Sequence, residues 1–135
     1  MGYLSTDLSF KTLRSANRQR LPEFRNAQGK LAHLDPKGRD WSYNDWMVAV
    51  AGETGELANN LKKLRRGDFK LDDPGVRDKI AGEIADVLIY LDILAFQFDF
   101  DLGSIVVETF NRKSEKVGSR VYIGNDNDWH LRAKE

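Results

Sequence analysis

With 135 residues the chain has the length of one domain with a single modest core. Its 21 Lys and Arg balance 21 Asp and Glu, so no net charge draws it to nucleic acid or to an anionic membrane. It holds no cysteine, which excludes disulfides, thiolate zinc sites and thiol nucleophiles and suits a cytoplasmic protein. Met1 to Asp7 lack a basic stretch followed by an apolar run, so no signal peptide is expected. The most apolar segment, Val87 to Phe98, is broken by Asp92 and is too short to span a bilayer.

Ser5, Thr6 and Asp7 offer N-cap oxygens for a first helix over about 7 to 20, with Leu13, Ala16 and Leu21 inward and Pro22 as its stop. Residues 25 to 41 read as a loop, because Asn26, Gly29 and Asp35-Pro36-Lys37-Gly38 are turn chemistry. A loop of that length in a small domain is often functional. His33 lies in it, without a second histidine nearby, and reads as a surface residue.

The second helix has a marked start. Ser42 is placed to cap it, Asp45 stands at the third position to close a short capping box, and Trp41 can pack on Trp46 as a staple. Trp46, Val50, Leu57, Leu61 and Leu64 form its apolar stripe. Gly52 and Gly55 weaken it and imply that another helix or a ligand comes close. Lys62, Lys63, Arg65 and Arg66 complement its C-terminal dipole, and Gly67 ends it. Lys63 also lies on the line of Glu53, Glu56 and Asn60, in reach of a phosphate there.

Asp73 and Pro74 are the expected cap and first position of a third helix. Its stripe reads Ile80, Ile84, Val87, Leu88, Leu91, Leu94, Ala95 and Phe98. Asp101 caps a fourth helix over about 102 to 117, with Ile105, Val106 and Phe110 inward and Gly118 at its end. The tail, 119 to 135, carries Val121-Tyr122-Ile123 and Trp129, too apolar for a wholly disordered end; His130 stands alone.

The chemistry concentrates in two acidic pairs, Glu53 with Glu56 and Glu83 with Asp86. Each is spaced i, i+3, which puts both carboxylates on one helix face. A hairpin of the two helices brings four carboxylates together. Such a cluster raises its own pKa values and is relieved by protonation or by a divalent cation. Hard cations such as Mg²⁺ take oxygen ligands and keep waters that a phosphate can replace. Lys79, one turn before Glu83, can pair with it or reach a phosphate.

Gly52-Glu53-Thr54-Gly55-Glu56-Leu57-Ala58, followed by Glu83-Ile84-Ala85-Asp86-Val87-Leu88-Ile89-Tyr90-Leu91, resembles the ExxE…ExxD signature of MazG-like nucleotide pyrophosphohydrolases, in the all-α NTP pyrophosphatase superfamily. The likeness extends more weakly from about Leu13 to Gly118. It implies an all-α, four-helix-bundle-like fold over residues 1 to 118, followed by a C-terminal tail over 119 to 135, and a homodimer or homotetramer with sites near subunit contacts. It implies hydrolysis of a nucleoside triphosphate to monophosphate and pyrophosphate. Glu53, Glu56, Glu83 and Asp86 would hold two or three Mg²⁺, with Mn²⁺ as a substitute, and Glu56 would orient or deprotonate the attacking water. Asn17 and Arg20, in a segment similar to the first helix of phage-type relatives, would lie near the nucleotide. Tyr90 would contact the base, with Trp41 or Tyr43 as further stacking candidates.

Phe110-Asn111-Arg112-Lys113-Ser114-Glu115-Lys116-Val117-Gly118 is similar to the family's KFNxxSxKxG segment, which adds Asn111 and Lys116 as substrate contacts; Thr109 stands where the first lysine is expected. Many relatives carry a further glutamate where this chain has Gly52. A di-iron carboxylate bundle is disfavoured, because its Glu-x-x-His pairs are missing. The reading of another class is a helical oligomerisation or regulatory module with a vestigial nucleotide site.

Overall fold

The computed structural model describes residues 5 to 135. The leading residues on which the signal-peptide reading partly rests, Met1 to Leu4, lie outside them. The described chain is mostly helical and forms two compact units. The first ends at Asp99 and contains α1 (Phe10–Arg20), a 3₁₀ turn (Leu21–Glu23), α2 (Tyr43–Arg66) and α3 (Val76–Gln97). The second, Phe100–Glu135, contains α4 (Leu102–Lys116), β1 (Val121–Ile123) and β2 (Trp129–Leu131). Among the described residues no helix is long and apolar enough to cross a membrane.

Local chemistry sets the helix ends. α1 begins later than expected, because the Ser9 hydroxyl, rather than residues 5 to 7, accepts from the Thr12 amide at 3.0 Å. Ala16 is exposed there, against expectation, while Leu21 is buried. α2 starts on a complete capping box: Asp45 N–H donates to Ser42 Oγ at 3.1 Å and Ser42 N–H to Asp45 Oδ2 at 2.8 Å. Such a cap stabilises a helix by about 1 kcal/mol. Gly67 ends α2 with φ 82°, where a side chain would be strained. α3 starts at Val76 behind Gly75, not at Pro74. Asp73 is used one step earlier, its Oδ2 accepting from Lys70 N–H at 2.7 Å to close the preceding turn. α4 is capped as expected, by Asp101 Oδ1 accepting from Ser104 N–H at 2.8 Å.

The core of the first unit is Leu21, Trp46 and Ile93, with Phe24, Ala49, Tyr90 and Leu94 packed against it. α2 and α3 pack on each other, and α1 packs on α3. The buried line of α3 is therefore Ile93, Ala95 and Phe96. Ile84, Leu88, Leu91 and Phe98 of the expected stripe are exposed, as is Leu61 of α2. α3 is apolar on more than one face, and one neighbouring helix pair cannot cover all of it. Gly52 and Gly55 face open space: a Cβ at either meets nothing within 4 Å, so no helix of the described chain approaches them.

A buried polar pairing fastens α1 to α3. Asp92, fully buried, accepts from Asn17 Nδ2 at 2.9 Å and from Arg14 Nε at 3.1 Å. Loop 24 to 42 is fastened too. Gln97 Nε2 donates to Lys37 O at 3.0 Å, and Trp46 Nε1 donates to Gly38 O at 2.9 Å. Gly38 has φ 69°, and a Cβ there would stand 2.6 Å from Trp46 Cζ2, so this glycine is required twice over.

In the second unit the tail is an antiparallel hairpin that pairs Val121 with Leu131 and Ile123 with Trp129. Asn111 of α4 clips it: Nδ2 donates to Ile123 O at 2.9 Å, and Ile123 N–H returns to Asn111 Oδ1 at 2.8 Å. His130 is paired with Asp126, its Nε2 2.8 Å from Oδ2.

Candidate functional site

The α2–α3 hairpin brings Glu53, Glu56 and Glu83 together, each offering a carboxylate oxygen within 4.8 Å of the others. The helical spacing explains the first two, and the packing of α3 on α2 supplies the third. Asp86 is exposed and lies outside that set, yet close enough to act on Glu53. Burial raises the Glu53 carboxyl above its ordinary 4.5, and the charges of Glu56, Asp86 and Glu83 raise it further. Glu83 is braced by Asn60, whose Nδ2 donates to its Oε1 at 3.2 Å. Asn60 is only 4% exposed, so the brace is part of the helix interface. Its place on the line of Glu53 and Glu56 was legible in the sequence; its contact with Glu83 depends on the packing of α3.

Beside the acids lies a cavity of ≈ 360 Å³ lined by Phe24, Arg25, Ala32, His33, Trp41, Trp46, Ala49 and Tyr90. Tyr90 joins the two features. It lines the cavity, and its hydroxyl is raised above the ordinary 10.0 by burial and then by Glu53 and Asp86, with Arg20 opposing. Arg20 lies over Phe24, its guanidinium carbon 5.8 Å from the ring centre. Trp41 is on the cavity wall, whereas Tyr43 stacks on Phe98 at 4.1 Å.

His33, expected at the surface, is 4% exposed. Its ring stacks on Trp46 at 5.0 Å and meets the edge of Trp41 at 4.7 Å. The expected staple is present as part of this cluster, with Trp41 and Trp46 centred 4.8 Å apart. Lone histidines in loops carry no periodic signal, so only the folded loop discloses it.

The remaining candidates are not among these residues. Asn17 is buried with its amide directed to Asp92 and to Ile89 O, which uses it to join helices. Lys79 is exposed on the first turn of α3. Asn111 and Lys116 belong to the second unit, Asn111 as the hairpin clip and Lys116 exposed on the last turn of α4.

Three hard oxygen donors at this spacing suit a small divalent cation, and the aromatic cavity suits a flat ring. No family model matches the chain. The Gene 37 protein of Mycobacterium phage L5 is 30% identical over 78 residues, a match that covers 58% of this chain and 68% of that protein.

Proposed function

This chain belongs to the family of the Gene 37 protein of Mycobacterium phage L5, and on that premise and the geometry of its acids we propose that it is a MazG-like nucleoside triphosphate pyrophosphohydrolase. The kinship itself carries no activity. The observation that supports the reading is one carboxylate triad beside one aromatic cavity, joined by Tyr90.

In this reading Glu53, Glu56 and Glu83 hold Mg²⁺, or Mn²⁺ in its place, with Asp86 completing the donors on the side of Tyr90. A bound divalent cation neutralises phosphate charge and acidifies water. The protein does the rest by placement. Asn60 donates to Glu83 and so favours the orientation that keeps this carboxylate with the other two. The base enters the cavity between Trp41 and Tyr90, which sets the distance from the ring to the acids. Glu56, the exposed member of the triad, accepts a proton from the attacking water. Attack on the α-phosphorus breaks the α–β anhydride and releases nucleoside monophosphate and pyrophosphate. Arg20 and Lys79 supply positive charge near the phosphates. Asn17 and Asn111 contribute through the helix and hairpin contacts they make.

We also propose that copies of the chain associate as a homodimer or homotetramer through the exposed Leu61, Ile84, Leu88 and Leu91. A cytoplasmic setting with a nucleotide pool fits the same reading.

The test is incubation of the purified chain with Mg²⁺ and each NTP and dNTP, with products separated chromatographically. Monophosphate and pyrophosphate in equal amounts are expected. Orthophosphate, or no turnover with any substrate, would overturn the proposal, and the second result together with a stable oligomer would favour a helical assembly module.

A further inference from the structure

His33 is built into the cavity wall with one nitrogen committed and one left over. Nδ1 lies 3.3 Å from Asp40 Oδ1, and the other oxygen of that carboxylate accepts from Leu34 N–H at 3.1 Å. Burial pushes the Asp40 carboxyl up, but the hydrogen bonds from the Leu34 backbone, its own backbone and His33 outweigh it and hold the group below its ordinary 3.8. A carboxylate only accepts, so the nitrogen facing it, Nδ1, carries a hydrogen, and in the neutral form of the ring Nε2 then carries a lone pair.

Nε2 has no protein partner among the described residues. Yet no buried side-chain nitrogen or oxygen in them lacks a partner. Nε2 therefore keeps some accessible surface, although the side chain as a whole is only 2% exposed. The ring around it lines the cavity, with Trp46 on one face and the edge of Trp41 alongside. If packing alone were needed, phenylalanine would fill the same space without the desolvation cost of an imidazole. The ring instead presents an acceptor between Trp41 and Trp46, in a wall whose other polar groups are Arg25 and the Tyr90 hydroxyl, the pattern of a few placed polar groups by which a ligand pocket selects orientation.

We propose that His33 is the residue that reads the base, accepting a hydrogen bond at Nε2 from an exocyclic amino group, and that Asp40 is the positioning residue that fixes its tautomer. This rests on the pyrophosphohydrolase reading for its ligand and goes beyond it in naming the substrate class: nucleotides of amino-bearing bases, cytosine or adenine. A keto oxygen at the same place, as in uracil or hypoxanthine, sets two lone pairs against each other. A buried acceptor left unmatched in this way is costly, which is why such sites discriminate.

The experiment compares kcat/KM for CTP against UTP and for ATP against ITP. Wild type is expected to favour the amino member of each pair by about ten-fold, the size of one hydrogen bond. His33→Phe keeps the aromatic packing and should bring both ratios close to one. Asp40→Asn still accepts from Leu34 N–H but donates to Nδ1, which moves the ring hydrogen to Nε2. It should lower both ratios by a similar factor or invert them, and a merely structural role for Asp40 would not do so.

A second measurement is independent of turnover. The chain has two histidines, so imidazole ¹⁵N spectra can be assigned with a His130→Gln control. The free protein should show the Nδ1–H tautomer at His33. CMP and AMP, added without metal, should shift its Nε2, whereas UMP and IMP should not. If wild type hydrolyses no triphosphate but CMP and AMP move Nε2, the hydrolase reading fails and the base reading stands. If triphosphates are hydrolysed with equal preference within each pair and His33→Phe changes nothing, the role of His33 is overturned and the hydrolase stands. Absence of both turnover and shift overturns both.

Discussion

Glu83→Gln tests whether the acids are tolerated for a cation, because the two states of the protein should respond with opposite signs. The substitution removes a charge and little else. Glutamine keeps the Oε1 that accepts from Asn60 Nδ2 at 3.2 Å, so the interhelical brace survives. What disappears is repulsion with Glu53 and Glu56, whose oxygens lie within 4.8 Å. Two unit charges at that distance interact by about 0.9 kcal/mol in water and about 3.5 kcal/mol at an effective dielectric of 20. Glu56 is exposed and Glu53 and Glu83 are half-buried, so the lower end applies to each of the two pairs, and salt screening brings their sum down to about 1 kcal/mol. For a chain of this length that raises Tm by about 4 °C. In EDTA the variant should thus melt above wild type. In Mg²⁺ the order should reverse, because wild type gains about 1.4 kcal/mol when the ion stands ten-fold above its Kd and the variant, having lost a ligand, gains much less. Differential scanning fluorimetry across a Mg²⁺ titration measures both. A variant less stable than wild type in EDTA, or one with an unchanged Mg²⁺ response, would refute the reasoning.

The pH dependence of Glu53 has a definite sign. Its folded carboxyl is raised above 4.5, first by burial and then by its acidic neighbours, so the native state holds the proton more tightly than the unfolded chain. Its contribution is most favourable below pH 4.5 and is lost as pH rises through the raised value. In EDTA, Glu53→Gln should gain on wild type as pH rises from 4.5 through the raised value and hold that gain above it; a constant Tm difference from pH 4 to pH 8 would count against it. Gly38→Ala forces a Cβ to within 2.6 Å of Trp46 Cζ2 at a positive φ, and should cost about 2–4 kcal/mol in urea unfolding. Asp92→Ala leaves Arg14 and Asn17 without their buried acceptor and should cost about 3–5 kcal/mol by the same measurement, a loss under 1 kcal/mol being the contrary result. Gly52→Ala meets no atom within 4 Å in this chain and should stabilise α2 by about 1 kcal/mol; destabilisation, seen by thermal melting, would show that a partner or ligand occupies that space.

What the sequence disclosed was local. The start of α2, its αL stop at Gly67 and the Asp101 cap follow from side chains within three or four residues of each other, and these are in place. The acidic pairs were legible for the same reason, since i, i+3 spacing fixes a shared face without tertiary help. The core face of α3 was not. Its apolar residues lie on more than one side, and periodicity favoured the line through Ile84, Leu88 and Leu91, which is exposed, over that through Ile93 and Phe96. Asp92 appeared only as a break in an apolar run, because its partners Arg14 and Asn17 lie more than seventy positions earlier. His33 was hidden likewise: its cage is made by Trp41 and Trp46, brought back over it by a loop whose path depends on Gly38 and Gln97.

These two kinds of information divide the molecule in a physically sensible way. Charge repulsion among Glu53, Glu56 and Glu83 opposes folding, so it must be borne by contacts elsewhere. Leu21, Trp46 and Ile93 supply them, and the same Trp46 that anchors α2 in that core is the platform under His33. The cavity wall is therefore loop 24 to 42 seated on the core through Trp46, and Tyr90 links that wall to the acids. A site built this way should keep its geometry without ligand and change mainly in protonation and ion content when one binds. That is why the charge-removing and tautomer-changing substitutions, which leave shape nearly untouched, separate the chemistry from the fold better than truncations of Trp46 or Tyr90 would.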